Sequence, residues 1–337
     1  MKAAVLTESR TFEIVDVPDP VAGPGQLVLR VEACGICGSD LKAAANMPSG
    51  LIMGHEFCGE VVEVGGGSSA WQIGQRVTAL PLIGCGTCLP CSQGDVSHCE
   101  QGSDNIGVGG SSGAYAEYIK VGALETFALP LDFGAGTGAL IEPLAVGLHA
   151  VDRARPNRGD VVAVIGGGPV GQAVALWARF FGAREVVVSD PVAARRAQCQ
   201  RMGATQAVDP AETPLAAFLD SQLGRRADLV FECVGVPGMV QASIDACVTH
   251  GRVVIVGVCT KPDPFVPVTA IVKELAMYFV VYYRSGDFAF TIDMMRQGRI
   301  DPLSLITDRV DLAGFPTAFE ALKNPSTQSK VLVLPNG

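Results

Sequence analysis

Hydrophobic and polar positions fall into two textures along the chain. From residue 1 to about residue 140 the apolar runs are short and interrupted by glycine, as in Gln26–Glu32 (QLVLRVE) and Glu60–Val64 (EVVEV). That pattern predicts an irregular, mainly β region. From about residue 145 the runs become continuous: Val161–Ile165, Glu185–Ser189, Asp228–Cys233 and Arg252–Val256, separated by stretches long enough for crossover helices. Strands that are apolar on every residue are those buried on both faces. This half therefore predicts a parallel, doubly wound sheet of the α/β class. The closing segment carries a helical pattern at Phe288–Gln297 and a strand pattern at Lys330–Leu334. Pattern alone does not say which half they join.

Composition narrows the picture. A chain of 337 residues is too long for one small core and points to two domains. A net charge of -9 leaves too few clustered Lys and Arg for nucleic acid to be a main partner. The first residues run straight into a strand pattern without an apolar signal core, and no run reaches the roughly eighteen apolar residues of a membrane span. A cytoplasmic protein with no membrane partner is expected. Eleven cysteines, an odd number, then point to metal ligands and buried thiols rather than a disulfide framework.

Four of those cysteines, Cys85, Cys88, Cys91 and Cys99, stand in CGTCLPCSQGDVSHC. Four thiolates close a tetrahedral shell around zinc and leave no place for water, which defines a structural site. An iron–sulfur centre also takes four cysteines, but this spacing departs from the common ferredoxin runs. The lobe, about residues 84–100, offers little other regular structure, so metal binding is expected to supply much of its folding energy.

A second constellation is more dispersed: Cys37 in ACGICGSD, His55 and Glu56 in GHEFCGEVVEVG, and Glu142 in IEPLAVGLHA. Each is weak alone, since a lone buried Cys or His is usually structural. His55–Glu56 is not the metalloprotease motif H-E-x-x-H, because Gly59 stands where the second histidine would be. One thiolate, one imidazole and one carboxylate with a fourth position open would make a catalytic zinc, a Lewis acid that lowers the pKa of bound water from about 15.7 to about 7.

The run Val161–Ile165 leads directly into Gly166-Gly167-Gly168-Pro169-Val170-Gly171 and then an apolar helical stretch. This is G-x-G-x-x-G in its required place, after a strand and before a helix. Gly166 permits the tight turn, Gly168 lets a pyrophosphate reach the helix N-terminus, and Gly171 lets helix and strand pack closely. Asp190, at the end of the next strand, is placed to bond the ribose hydroxyls and would repel a 2′-phosphate. NAD is favoured on that ground, with Arg195 and Arg196 keeping NADP open.

Taken together, the chain resembles the zinc-dependent medium-chain dehydrogenase/reductase family. GHEFCGEVVEVGGGS, the four-cysteine lobe, EPLAVGLHA and GGGPVG occur in the family's order over essentially the whole chain. The likeness is greatest to its polyol, threonine and secondary-alcohol branch, because Glu142 stands where liver-type enzymes carry a cysteine ligand. The resemblance implies a GroES-like β-rich catalytic domain, residues 1–145 and 276–337, around a Rossmann cofactor domain, residues 146–275. It implies two zinc ions per chain and a site in which Cys37 and His55 are ligands, while Glu56 and Glu142 ligate or hold the zinc-bound water. Asp40 would brace His55, and Ser39 would begin proton transfer from the alcohol.

Where many relatives carry a histidine this chain has Lys42, which leaves the onward proton route open. Ala43, Ala44 and Ala45 replace more polar residues and suggest a less polar pocket. The expected activity is reversible oxidation of a secondary alcohol to a carbonyl with NAD, polyol, sugar or threonine-type substrates being the alternative. The expected assembly is a homodimer or homotetramer joined through the last strand of the cofactor sheet, placed at Arg252–Val258. A zinc-free sister reductase and a non-catalytic NAD-binding protein of the same fold are the rival readings.

Overall fold

A computed structural model describes residues 1–324 and 327–337, and the chain divides into two units: Met1–Glu142 with Tyr283–Gly337, and Pro143–Tyr282. The first is built on a mixed sheet ordered Ile306–Asp311, Lys330–Leu334, Gln26–Gly35, Glu56–Val64, Arg76–Ala79 and Thr126–Ala128, with Tyr118–Gly122 also paired to Gln26–Gly35. Alternation decides which way the central strand faces. From Leu29 to Ala33 buried residues (Leu29, Val31, Ala33) alternate with partly covered ones (Arg30, Glu32), while Leu27 and Val28 before them are both buried.

The closing strand answers what the pattern left open. Leu332 and Val333 pair antiparallel with Gly35 and Cys34, so Lys330–Leu334 belongs to the first unit and lies beside the strand that leads into Cys37. Aromatic packing ties the same ends together. Phe12 meets Phe319 at 4.8 Å between ring centroids, and Phe315 meets Tyr115 at 4.4 Å. Each such ring, fully buried, contributes about 1.5–3 kcal/mol before entropy is counted.

Gly59 explains why H-E-x-x-H stops short here. It faces Val31 across the ladder, and a Cβ on it would lie 2.3 Å from the Arg30 carbonyl oxygen. The two strands approach too closely for any side chain at that point.

The second unit is a six-stranded, wholly parallel sheet ordered Gln206–Val208, Glu185–Ser189, Val161–Ile165, Ala227–Glu232, Cys247–Ile255 and Ala276–Phe279. The strand order reverses beside Val161–Ile165, where open α/β sheets bind ligands at the carboxyl ends of their strands. All five residues of that strand are buried, and the helix Pro169–Phe180 buries every residue from Gly171 to Ala178 against its surroundings.

Two expectations need correcting. The strand Ala276–Phe279 pairs in parallel with Arg252–Ile255, so the cofactor-type unit runs on to Tyr282 instead of ending at residue 275. For the same reason Arg252–Val258 does not mark the sheet's edge: the strand Cys247–Ile255 lies between two neighbours, and the edge is Ala276–Phe279. Among the described residues, no helix is long and apolar enough to cross a membrane.

Candidate active site

A short helix and a bend bring the first trio together. Cys37 is the N-cap of the helix Gly38–Ala43, and His55 directly precedes the strand Glu56–Val64. Between them, Cys37, His55 and Glu56 offer a sulfur, a ring nitrogen and a carboxylate oxygen that all lie within 4.8 Å of one another. Gly54, at φ +100°, makes the bend, and a Cβ there would lie 2.8 Å from the Tyr115 ring. Glycine is required on both counts.

Asp40 organises this trio. Its Oδ2 accepts hydrogen bonds from the Tyr115 hydroxyl at 2.6 Å and from the Cys37 N–H at 3.2 Å. Its Oδ1 lies 3.2 Å from His55 Nδ1, a charge contact rather than an aligned hydrogen bond. Burial alone would raise the Asp40 carboxyl; the charge of His55 and those hydrogen bonds outweigh it and hold the group below its ordinary value. Burial would likewise lower the His55 imidazolium, yet the Asp40 charge lifts it well above normal. Engaging Nδ1 leaves Nε2 to face a metal, the usual arrangement for a ligand histidine. Ser39 completes the cluster, its hydroxyl donating to Cys37 Sγ at 3.1 Å and standing 3.5 Å from His55 Nε2.

Three residues that sequence reasoning missed surround the site. Tyr115 is one. Lys330 is the second: wholly buried, it donates to the Ile36 carbonyl at 3.0 Å and to both carboxylate oxygens of Glu56, reaching Oε1 at 2.6 Å. Removing one partner from a buried pair commonly costs about 3–5 kcal/mol. A lysine opening the apolar strand KVLVL was a signal, since lysine is rarely fully buried unless paired. The third is Tyr283, whose hydroxyl donates to Glu142 Oε1 at 2.8 Å. Burial pushes the Glu142 carboxyl up to about 7 against the opposing pull of His55. Glu142 does not come within the 4.8 Å that unites the other three.

The donor chemistry fits zinc. Thiolate, imidazole and carboxylate are its habitual ligands, and three of them leave one position for substrate. The neighbouring alanines do not form one pocket wall: Ala43 and Ala44 pack on the hydrophobic core while Ala45 is exposed, so the suggested less polar pocket loses its basis. Lys42, also exposed, stands on the surface of that helix.

The cysteine quartet also converges, with all four sulfurs within 4.8 Å of one another. Cys85 and Cys91 are 4.0 Å apart, as are Cys88 and Cys99. Zn–S bonds of about 2.3 Å put tetrahedral sulfurs about 3.8 Å apart, so the spacing suits the ion. Donation from the Thr87 hydroxyl and N–H and from the Cys88 N–H pulls the Cys85 thiol down to about 6, toward the thiolate that a metal needs.

In the other unit the glycine loop has the shape that a dinucleotide needs. Gly166 is at φ +99°, and a Cβ on Gly171 would lie 1.9 Å from the Gly166 carbonyl oxygen. Gly168 caps the helix that Pro169 and Val170 begin, and a Cβ on it would meet nothing within 4 Å, leaving room before the helix N-terminus for a phosphate. Asp190 is buried, with its oxygens accepting N–H bonds from Gly167 and Val192, each at 2.8 Å. Of the two arginines, Arg196 is committed to Asp209 at 2.8 Å and to the carbonyls of Asp190 and Pro191. Arg195 keeps a buried Nε without a hydrogen bond.

Residues 23–131 match the family model of the alcohol dehydrogenase GroES-like domain, and residues 169–297 match that of the zinc-binding dehydrogenases. The (R,R)-butanediol dehydrogenase of Bacillus subtilis is 31% identical over 100% of both chains. A protein of Sinorhizobium meliloti 1021 solved with NADP is 33% identical over 99% of both chains with a TM-score of 0.89. An alcohol dehydrogenase of E. coli CFT073, solved with NADH, is 26% identical over 99% of both chains with a TM-score of 0.92.

Proposed function

The chain belongs to the zinc-dependent medium-chain alcohol and polyol dehydrogenases, and from that premise we propose that it oxidises a secondary alcohol, reversibly, to the ketone with NAD. Vicinal diols come first within that class, since a 31% identical relative is named for butanediol. One observation carries the reading: three metal-binding atoms of Cys37, His55 and Glu56 converge, and the Ser39 hydroxyl adjoins two of those residues.

Bound there, zinc would supply a Lewis acid that acidifies the alcohol, and the nicotinamide would supply the hydride acceptor. The rest is work for the chain's own side chains. Asp40, fixed by Tyr115, orients His55. The Ser39 hydroxyl is placed to begin proton transfer from the alcohol, accepting its hydrogen bond and passing a proton onward without keeping it. Lys330 offsets negative charge that the thiolate and two carboxylates would otherwise concentrate in a buried place. A panel of primary and secondary alcohols and diols with NAD, followed at the absorbance of reduced nicotinamide, tests the assignment. Secondary alcohols or diols should be oxidised fastest, and no reduction with any of them would sink it.

NAD over NADP rests on Asp190. Asp190→Ser is expected to move the ratio of kcat/KM values toward NADP by about tenfold, the equivalent of about 1.4 kcal/mol of relieved repulsion. An unchanged ratio would remove this residue from cofactor choice. Assembly as a homodimer, or a tetramer built from it, is supported by the exposed edge strand: Phe279 is 71% exposed, and Ile271 and Val272, at the end of the preceding helix Pro267–Val272, are 68% and 74% exposed. Sedimentation should show two or four times the 35.0 kDa chain mass, and a 35.0 kDa species would contradict this assembly.

A further inference from the structure

We propose that Tyr283 is a positioning residue for the metal centre: its hydroxyl holds Glu142 so that the carboxylate's other oxygen, Oε2, is turned toward the Cys37–His55–Glu56 cluster without joining it as a further ligand. The inference rests on the zinc reading above. Two observations support it.

Tyr283 is 1% exposed, and its hydroxyl donates to Glu142 Oε1 at 2.8 Å across 141 residues of sequence. A buried carboxylate with one oxygen so engaged has its orientation set, leaving the second oxygen as the one free to turn toward a cation.

The ring itself is held. It packs on Phe288 at 4.9 Å between centroids, and Phe288 packs on Phe127 at 5.6 Å. The backbone just beyond it is tied to the cysteine lobe. The Ser285 N–H donates to the Gly94 carbonyl at 2.9 Å, the Ser285 hydroxyl donates to the same oxygen at 3.3 Å, and Arg284 lies 3.6 Å from Asp95. A tyrosine fixed by ring packing on one side and by backbone bonds on the other has little freedom, so its hydroxyl is an aimed donor rather than a mobile one.

The test is Tyr283→Phe, which keeps the ring and deletes the hydroxyl. Zinc is titrated from the whole protein with a chelator of known affinity, and the two sites are resolved by their order of release. The expected result is a loss of about 10–100-fold in affinity at the Cys37–His55 site, with the cysteine-lobe zinc and the melting temperature unchanged. In a Glu142→Ala background the same substitution should produce no further loss, because Tyr283 acts through Glu142. A purely structural tyrosine would lower the melting temperature and leave the selective change in affinity unseen. Wild type holding two zinc ions, with Tyr283→Phe matching it within twofold, overturns this inference alone. Wild type holding one zinc ion overturns the metal reading and this inference with it.

Discussion

Cys37→Ser is expected to lower kcat by at least about 10³-fold and to reduce zinc from two ions per chain to one. The size follows from chemistry. A neutral hydroxyl is a far poorer zinc ligand than a thiolate, and losing a Lewis acid worth about 4 kcal/mol of transition-state stabilisation gives a thousandfold slower reaction. The substitution separates catalysis from folding unusually well. Cys37 is the N-cap of the helix Gly38–Ala43, and serine is among the best N-cap residues, so the helix should keep its start. The Cys37 N–H can still donate to Asp40, because that bond belongs to the backbone. The melting temperature should therefore change little, and NAD binding, which belongs to the glycine loop of the other unit, should persist. Metal analysis, a thermal melt and steady-state kinetics on one preparation read all of these. Full activity in the purified variant would rule out the catalytic metal.

Cys88→Ser should produce the opposite profile. Here too the cysteine is an N-cap, of the four-residue helix Leu89–Ser92, so serine again suits the local backbone. What is lost is the metal. Between Cys85 and Cys99 only Val96 and Cys99 are buried, which is too small a core to hold the lobe folded. Structural zinc contributes about 10–16 kcal/mol of apparent binding energy in small zinc-finger peptides, and a three-thiolate remnant retains only part of that. Losing even about 3–5 kcal/mol would lower the melting temperature by about 4–7 °C in a protein of this size. Soluble yield should fall as well, since the lobe's Gly94 and Asp95 anchor the segment at Arg284 and Ser285. Differential scanning calorimetry checks this, and an equally stable, soluble variant would count against a structural site.

What the sequence disclosed was mostly local. The strands Val161–Ile165, Glu185–Ser189 and Lys330–Leu334 lie where their apolar runs put them, because the consecutive buried residues VVAVI, VVV and VLV mark each strand's body plainly. The cysteine quartet was equally plain, its ligands standing within fifteen residues of one another. Ala276–Phe279 escaped notice for the converse reason: it is an edge strand with no buried residue, so neither alternation nor a bounded apolar run marks it. Gln206–Val208, three residues long, offers even less.

The residues that brace the site escaped notice for a different reason. Tyr115 reaches Asp40 across 75 positions, Tyr283 reaches Glu142 across 141, and Lys330 reaches Glu56 across 274. Such contacts are created by tertiary folding, in the case of Lys330 by the pairing of Leu332 with Gly35, and no local spacing encodes them. The alanines after Lys42 misled in the same way. Residue type suggested a pocket wall, whereas helix geometry turned two of them into the core.

X-ray diffraction data collected across the zinc absorption edge, from crystals of the protein as purified, would show directly where metal sits. The account expects two anomalous peaks per chain, one amid Cys85, Cys88, Cys91 and Cys99 and one at bonding distance, about 2.0–2.3 Å, from Cys37 Sγ and His55 Nε2. A map in which the second position is blank at full metal supplementation would contradict it.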